Sequence, residues 1–176
     1  LKIDNIVKKV SSIFLNQRYA GKINYKPYFQ RNYVWDEEKA TYFIESILLG
    51  TEIPPLVLFQ TKDKNEVIDG RQRYETIKRF LEDKLVLKDK GLHNLKALAG
   101  KRYSQLDSDT RELFEDTRIR ILQFSVVDEP KLDEEKEEKI KKEIFRRYNS
   151  GITPLQKYDI DRAAYINDKL SNLLYD

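Results

Sequence analysis

Val67-Ile68-Asp69-Gly70-Arg71-Gln72-Arg73-Tyr74-Glu75-Thr76 runs from an apolar strand through a turn dipeptide into a basic helix. A helix that starts there leaves its first backbone N–H groups without partners, and the helix dipole adds to their pull on an anion. Gly70 lets the backbone approach a phosphate closely. Arg71 and Arg73 can add charge-assisted contacts, and Asp69 can hold a Mg²⁺ or orient a water. The same residues also describe a plain strand-to-helix turn, with Asp69 as N-cap and the arginines on the surface.

Upstream, Leu56-Val57-Leu58-Phe59 and Glu66-Val67-Ile68 flank the polar stretch Thr61 to Asn65, the pattern of a β-hairpin entered through the stiff Ile53-Pro54-Pro55. Asp36 N-caps a helix with Glu37 and Glu38 in its first turn. Ala40, Phe43, Ile44, Ile47 and Leu48 form its inner face, and Gly50 ends it. Lys22 to Lys26 reads as a short strand. Ile3, Ile6, Val7, Val10, Ile13 and Phe14 follow a helical period, which predicts a leading amphipathic helix over 1–20.

Downstream, Ile77, Phe80 and Leu81 face inward on the helix that follows Gly70. Lys84 to Lys88 is a short strand candidate, and 89–105 shows no clear period. A short helix over Arg111 to Phe114 is entered through Asp107 or Ser108, and Ile119 to Val127 is the best remaining strand. Glu129 to Arg147 is a charged helix stopped by Asn149-Ser150-Gly151, and Thr153-Pro154 opens a final helix. The expectation is a single mixed α+β domain over 1–176, with a core at 21–127 and a helical part at 128–176.

Composition narrows the chemistry. The 176 residues include no cysteine and one histidine, His93, which excludes disulfides, thiolate metal sites, cysteine nucleophiles and any site needing two histidines. No apolar run reaches the length of a membrane helix, so a cytoplasmic protein is expected. Methionine is absent, from which we expect a fragment of a longer protein. The formal charge is +3, but the first 35 residues carry seven Lys/Arg and one acid. That asymmetry suits an anionic partner, and suits an ordinary solvated surface equally well.

Two further segments carry candidate chemistry. Pro27-Tyr28-Phe29-Gln30-Arg31-Asn32-Tyr33-Val34-Trp35 places four aromatics beside a Gln and an Arg, which can stack a base and touch a phosphate, or can fill the core. Ile144-Phe145-Arg146-Arg147-Tyr148-Asn149-Ser150-Gly151 ends a helix in a basic turn, as the helix dipole alone would favour. The eight acids and five lysines between Asp128 and Glu143 read as a solvated helix face. Neither G-x-x-x-x-G-K-[ST] nor G-x-G-x-x-G occurs.

Together these segments resemble the N-terminal domain family of GmrSD-type modification-dependent restriction systems. That family shows Q-R-x-Y-x-W, then I-P-x-P before a strand, I-D-G-Q-Q-R, and F-x-R-x-N-x-G. Here they read Gln30-Arg31-Asn32-Tyr33-Val34-Trp35, Ile53-Pro54-Pro55, Ile68-Asp69-Gly70-Arg71-Gln72-Arg73 and Phe145 to Gly151, in the same order across about residues 20–165.

The resemblance implies a ParB/sulfiredoxin-like fold, a small mixed sheet surrounded by helices. Gly70, Arg73 and Tyr74 are similar to the phosphate-holding G-E-R-R-Y-R-A box of ParB-type domains. It further implies a Mg²⁺-dependent NTP-hydrolysing domain of a bacterial restriction or phage-defence protein, regulating a nuclease domain placed further along the chain and meeting DNA through the full-length protein. Asp69, Gln72 and Arg73 would be catalytic, with Asp69 on the metal. Gln30, Arg31, Gly70, Arg71, Arg147 and Asn149 would bind the nucleotide. Arg71 departs from the family's usual Gln, and no sulfiredoxin cysteine or HNH histidine set is present. The alternatives are a non-catalytic DNA-binding regulatory module and a ParB-like nuclease.

Overall fold

The computed structural model describes residues 1–26, 32–126 and 133–149. Five strands form one mixed sheet in the order β1-β5-β3-β4-β2. They are β1 (Lys2–Lys9), β2 (Ile23–Asn24), β3 (Leu56–Gln60), β4 (Asn65–Asp69) and β5 (Arg118–Ser125). The hairpin pair β3/β4 is antiparallel, as is β1/β5, whereas β3/β5 and β2/β4 are parallel. The helices are α1 (Gln17–Ala20), α2 (Glu37–Leu48), α3 (Arg71–Leu81), α4 (Ser108–Asp116) and α5 (Glu134–Asn149). The architecture is α+β, as the sequence leads one to expect.

The central strand explains the layering. Leu56-Val57-Leu58-Phe59 is buried on both faces, so its apolar run is continuous rather than alternating. Leu56 and Leu58 join the core under α2, α3 and α4, with Ile44, Ile77, Phe80 and Phe114. Val57 and Phe59 join Ile68, Phe124, Ile140 and Ile144 under α5. Burying each of the four fully buried phenylalanines, Phe59, Phe80, Phe114 and Phe124, contributes about 1.5–3 kcal/mol.

Caps fix the helix starts. The Asp36 carboxylate accepts the Lys39 N–H at 2.8 Å, and the Asp107 carboxylate accepts the Thr110 N–H at 2.8 Å. Glu45, 1% exposed, has its carboxylate ringed by the backbone N–H groups of His93, Asn94 and Leu95, which pins the 3-10 turns of the 89–105 region onto α2. Burial pushes the Glu45 carboxyl up, but the three amides outweigh it and hold the group below its ordinary value.

Two sequence expectations are corrected. The leading helix is a strand: Lys2–Lys9 pairs with β5 over its whole length, and Ser11–Leu15 then forms one π-helical turn. Asp4, Ile6 and Lys8 turn one way while Ile3 (42% exposed) and Val7 (57% exposed) turn to solvent, a period of two. Lys84 to Lys88 is not a strand either. Leu87 exchanges single hydrogen bonds with Lys101 and Gly100, and the Lys88 N–H goes to the Thr41 hydroxyl. The start of the charged helix before 133 and the helix expected from Thr153 lie outside the described residues.

Candidate functional site

The β3/β4 ladder slips by one residue where the first motif residue must be aimed. Val57 pairs with Asp69 and Leu58 with Val67, leaving Ile68 as the extra residue of a bulge. Bulges turn side chains at strand ends. This one brings Asp69 level with Val57, on the side of the sheet that α5 covers. The Tyr148 phenol of α5 is held above its ordinary value, first by burial and then by the neighbouring Asp69 carboxylate. The late motif and the central motif therefore meet at the sheet's end.

Gly70 follows with φ +98° and ψ +17°, a conformation that an L side chain rarely adopts. A Cβ there would also sit 2.7 Å from Leu56 Cδ2 and 2.9 Å from Arg73 Nη2. Glycine is required twice over, once for the backbone and once for space. Gly70 is the N-cap of α3 and has no side chain with which to cap it, so the amides of the first turn open beside Gly70.

Arg73 reaches back over this turn. Its Nη2 donates to the Pro55 carbonyl at 3.0 Å and to Asp69 Oδ2 at 3.1 Å. Its Nε is shielded from solvent and has no acceptor among the described residues. An orphaned charged donor beside uncapped helix amides suits an anion. Asp69 Oδ1 takes no hydrogen bond from a described residue, and the Asp69 side chain is 27% exposed.

Gln72 is engaged differently. Its Oε1 accepts the N–H groups of Val34 (2.9 Å) and Trp35 (3.3 Å), and its Nε2 donates to the Asn32 carbonyl at 3.0 Å. The first motif is thus laced to α3 through its backbone. Tyr33 adds a 2.9 Å hydrogen bond to Thr76, and the Arg79 guanidinium lies 4.1 Å from the centre of its ring. Trp35 packs edge-on against Phe43 at 5.4 Å.

The remaining candidates are dispersed. Arg71, 7% exposed, turns to Glu75 at 3.4 Å, and Glu75 also meets Arg79 at 3.2 Å. Arg147 Nε donates to Glu143 at 2.6 Å. Gln30 and Arg31 lie outside the described residues, and Asn149 is described only as the last residue of α5. Among the described residues no three of His, Asp and Glu converge as a metal site. Sequence reading missed Tyr148, the Pro55 carbonyl and Tyr33. All three stand inside motifs already singled out, so motif membership was the available signal.

Lys141 ties α5 to β4 nearer the hairpin end, away from Asp69. Its ammonium, on a side chain 3% exposed, lies 2.8 Å from Glu66 of β4, 3.0 Å from Glu137 and 2.9 Å from Glu138. The Glu66 contact is an ion pair rather than an in-line hydrogen bond. Burial alone would lower the Lys141 pKa, and the three carboxylates reverse this and raise it.

The model of the GmrSD restriction endonuclease N-terminal domain matches residues 10–166. The chain belongs to that family. No curated protein and no solved structure matches the chain. The family is that of a restriction system, so the setting is defence against foreign DNA. Among the described residues no helix is long and apolar enough to cross a membrane.

Proposed function

We propose that this GmrSD N-terminal domain is a Mg²⁺-dependent nucleoside triphosphatase, acting on a nuclease carried elsewhere in the restriction protein. The observation that carries the reading is the anion-ready turn. Gly70 is held at φ +98° and brings no capping side chain to the first turn of α3, and the buried Arg73 Nε has no partner among the described residues.

In this reading the amides after Gly70 cradle the phosphates, and Arg73 counters the charge that develops on the transferred phosphoryl group. Mg²⁺ needs only one or two carboxylates when phosphates supply other oxygens. Asp69 fits that role through Oδ1, and the ion would neutralise phosphate charge. Gln72 acts as a strut that holds the backbone of Asn32, Val34 and Trp35 against α3, because its amide is already bonded there. Arg71 and Arg147, each facing a glutamate, supply positive potential.

Phosphate release is the test. Asp69→Ala should abolish Mg²⁺-dependent release from a triphosphate while the melting curve remains cooperative. Turnover unchanged in that variant would refute the assignment. A second reading, a DNA-binding regulatory module, draws on Arg118 and Arg120, two exposed cations on one face of β5. It predicts DNA affinity whose logarithm falls by about 0.9 per phosphate contact with the logarithm of salt.

A further inference from the structure

A half-open cavity of about 430 Å³ lies between the start of the chain and the flank of α3, lined by Tyr74 and the residues after it rather than by the Gly70 turn. Phe14, Tyr25 and Tyr74 supply aromatic walls, with ring centres 4.7 Å apart for Phe14 and Tyr74 and 5.2 Å for Tyr25 and Tyr74. Leu81 adds an apolar surface, and the ion pair of Lys78 with Glu82 stands at the rim. The volume falls in the range of small-molecule sites, about 300–1,000 Å³.

The polar groups here indicate what kind of ligand fits. Tyr74 is 2% exposed, and its hydroxyl makes no hydrogen bond to a described residue although the side chain lines the cavity. Burial, with Tyr25 next in effect, holds that phenol above its ordinary pKa, so it stays neutral and can donate or accept. An aliphatic occupant would leave the hydroxyl unsatisfied, which is costly. Glu82 holds Lys78 on one carboxylate oxygen and Lys84 on the other, so Lys78 keeps further N–H donors at the rim for acceptor atoms on the edge of a ring, while the aromatic and apolar lining suits an uncharged ring face.

We propose that this cavity is a binding site for one planar, uncharged heteroaromatic ring of nucleobase type. The ring lies against the aromatic walls, with its polar edge toward the Tyr74 hydroxyl and the Lys78–Glu82 pair. The ring can come from a free nucleoside or from a base of a single strand. The site does not depend on the triphosphatase reading, because no phosphate is needed.

The test titrates adenosine, guanosine, cytidine and uridine separately into the 176-residue chain, read by saturation-transfer NMR on the base protons, with a short single-stranded DNA as a second arm. At least one nucleoside or the oligonucleotide should bind. Tyr25→Ala should weaken it about 5- to 100-fold, the usual loss of a stacking platform. Lys78→Met should weaken it about 2- to 10-fold, and this milder change carries the test if Tyr25→Ala does not fold. Arg73→Ala should bind the ring as wild type does. Binding by nucleosides identifies a free ligand, and binding by the oligonucleotide alone identifies a strand-borne base. No binding in either arm, or binding undiminished in both cavity variants, would overturn the proposal, and neither result bears on the Mg²⁺-dependent triphosphate readout.

Discussion

Replacing Gln72 by leucine tests whether the central motif holds the first one in place. The substitution keeps a side chain of similar volume but removes three hydrogen bonds, to Val34 N–H, Trp35 N–H and the Asn32 carbonyl. At about 0.5–1.5 kcal/mol each, with the 3.3 Å bond at the weak end, the loss is about 2–3 kcal/mol. Because Val34 is exposed, its freed amide can find water, and the cost falls on the local tie rather than on the core. Amide exchange at Val34 and Trp35 should accelerate about 30- to 100-fold in the native state, since each 1.4 kcal/mol is tenfold. Trp35 is the single tryptophan, so its fluorescence reports the same release without interference. Gln72→Glu, which keeps both acceptor bonds and loses only the donor to Asn32, should fall between. If exchange at Val34 and Trp35 is unchanged in Gln72→Leu, the strut role is wrong.

Other perturbations separate the parts of the structure. Gly70→Ala should destabilise by about 1–3 kcal/mol from the positive φ alone, and more if Leu56 cannot shift from its 2.7 Å approach; a urea midpoint equal to wild type would contradict this. Glu45 has a lowered folded-state pKa, so its stabilisation is present above the unfolded carboxyl value near 4.3 and is lost as pH falls through the folded value. Glu45→Gln should therefore lie well below wild type in urea at pH 7, with the gap closing at pH 3; a constant gap would refute the amide-ring account. Lys141→Met leaves Glu66, Glu137 and Glu138 facing one another and should cost about 2–3 kcal/mol, less than a fully buried pair because these carboxylates are 20–32% exposed. Thermal unfolding reads it, and an unchanged midpoint would mean that the cluster does not anchor α5.

What could be read from the chain followed the range of the interactions. The hairpin, the Asp36 and Asp107 caps and the Asp69-Gly70 turn are local, and each stands where its residues place it. β1 was misread because Ile3, Ile6, Val7 and Val10 fit a helical period, while the deciding partner, β5, lies more than a hundred residues away. Lys84 to Lys88 carries buried Leu85 and Leu87 in strand-like alternation, yet the chain offers it only isolated backbone partners. At the site, Asp69, Gly70 and Arg73 come together as their spacing suggests. The duty of Gln72 depends on backbone groups nearly forty residues upstream, and Glu45 gives no sign in sequence that a buried acid will organise a loop.

The triphosphatase proposal stands on a phosphate centre formed by the Gly70 turn and Arg73. It is tested most directly by melting the chain with each ribonucleoside triphosphate, with and without Mg²⁺, beside Arg73→Ala. Binding to the folded state adds about 2.7 kcal/mol at a hundredfold excess over Kd, a shift that a melting curve resolves. The account predicts a Mg²⁺-dependent rise in Tm that disappears in Arg73→Ala. No rise with any triphosphate, or an equal rise in the variant, would contradict it.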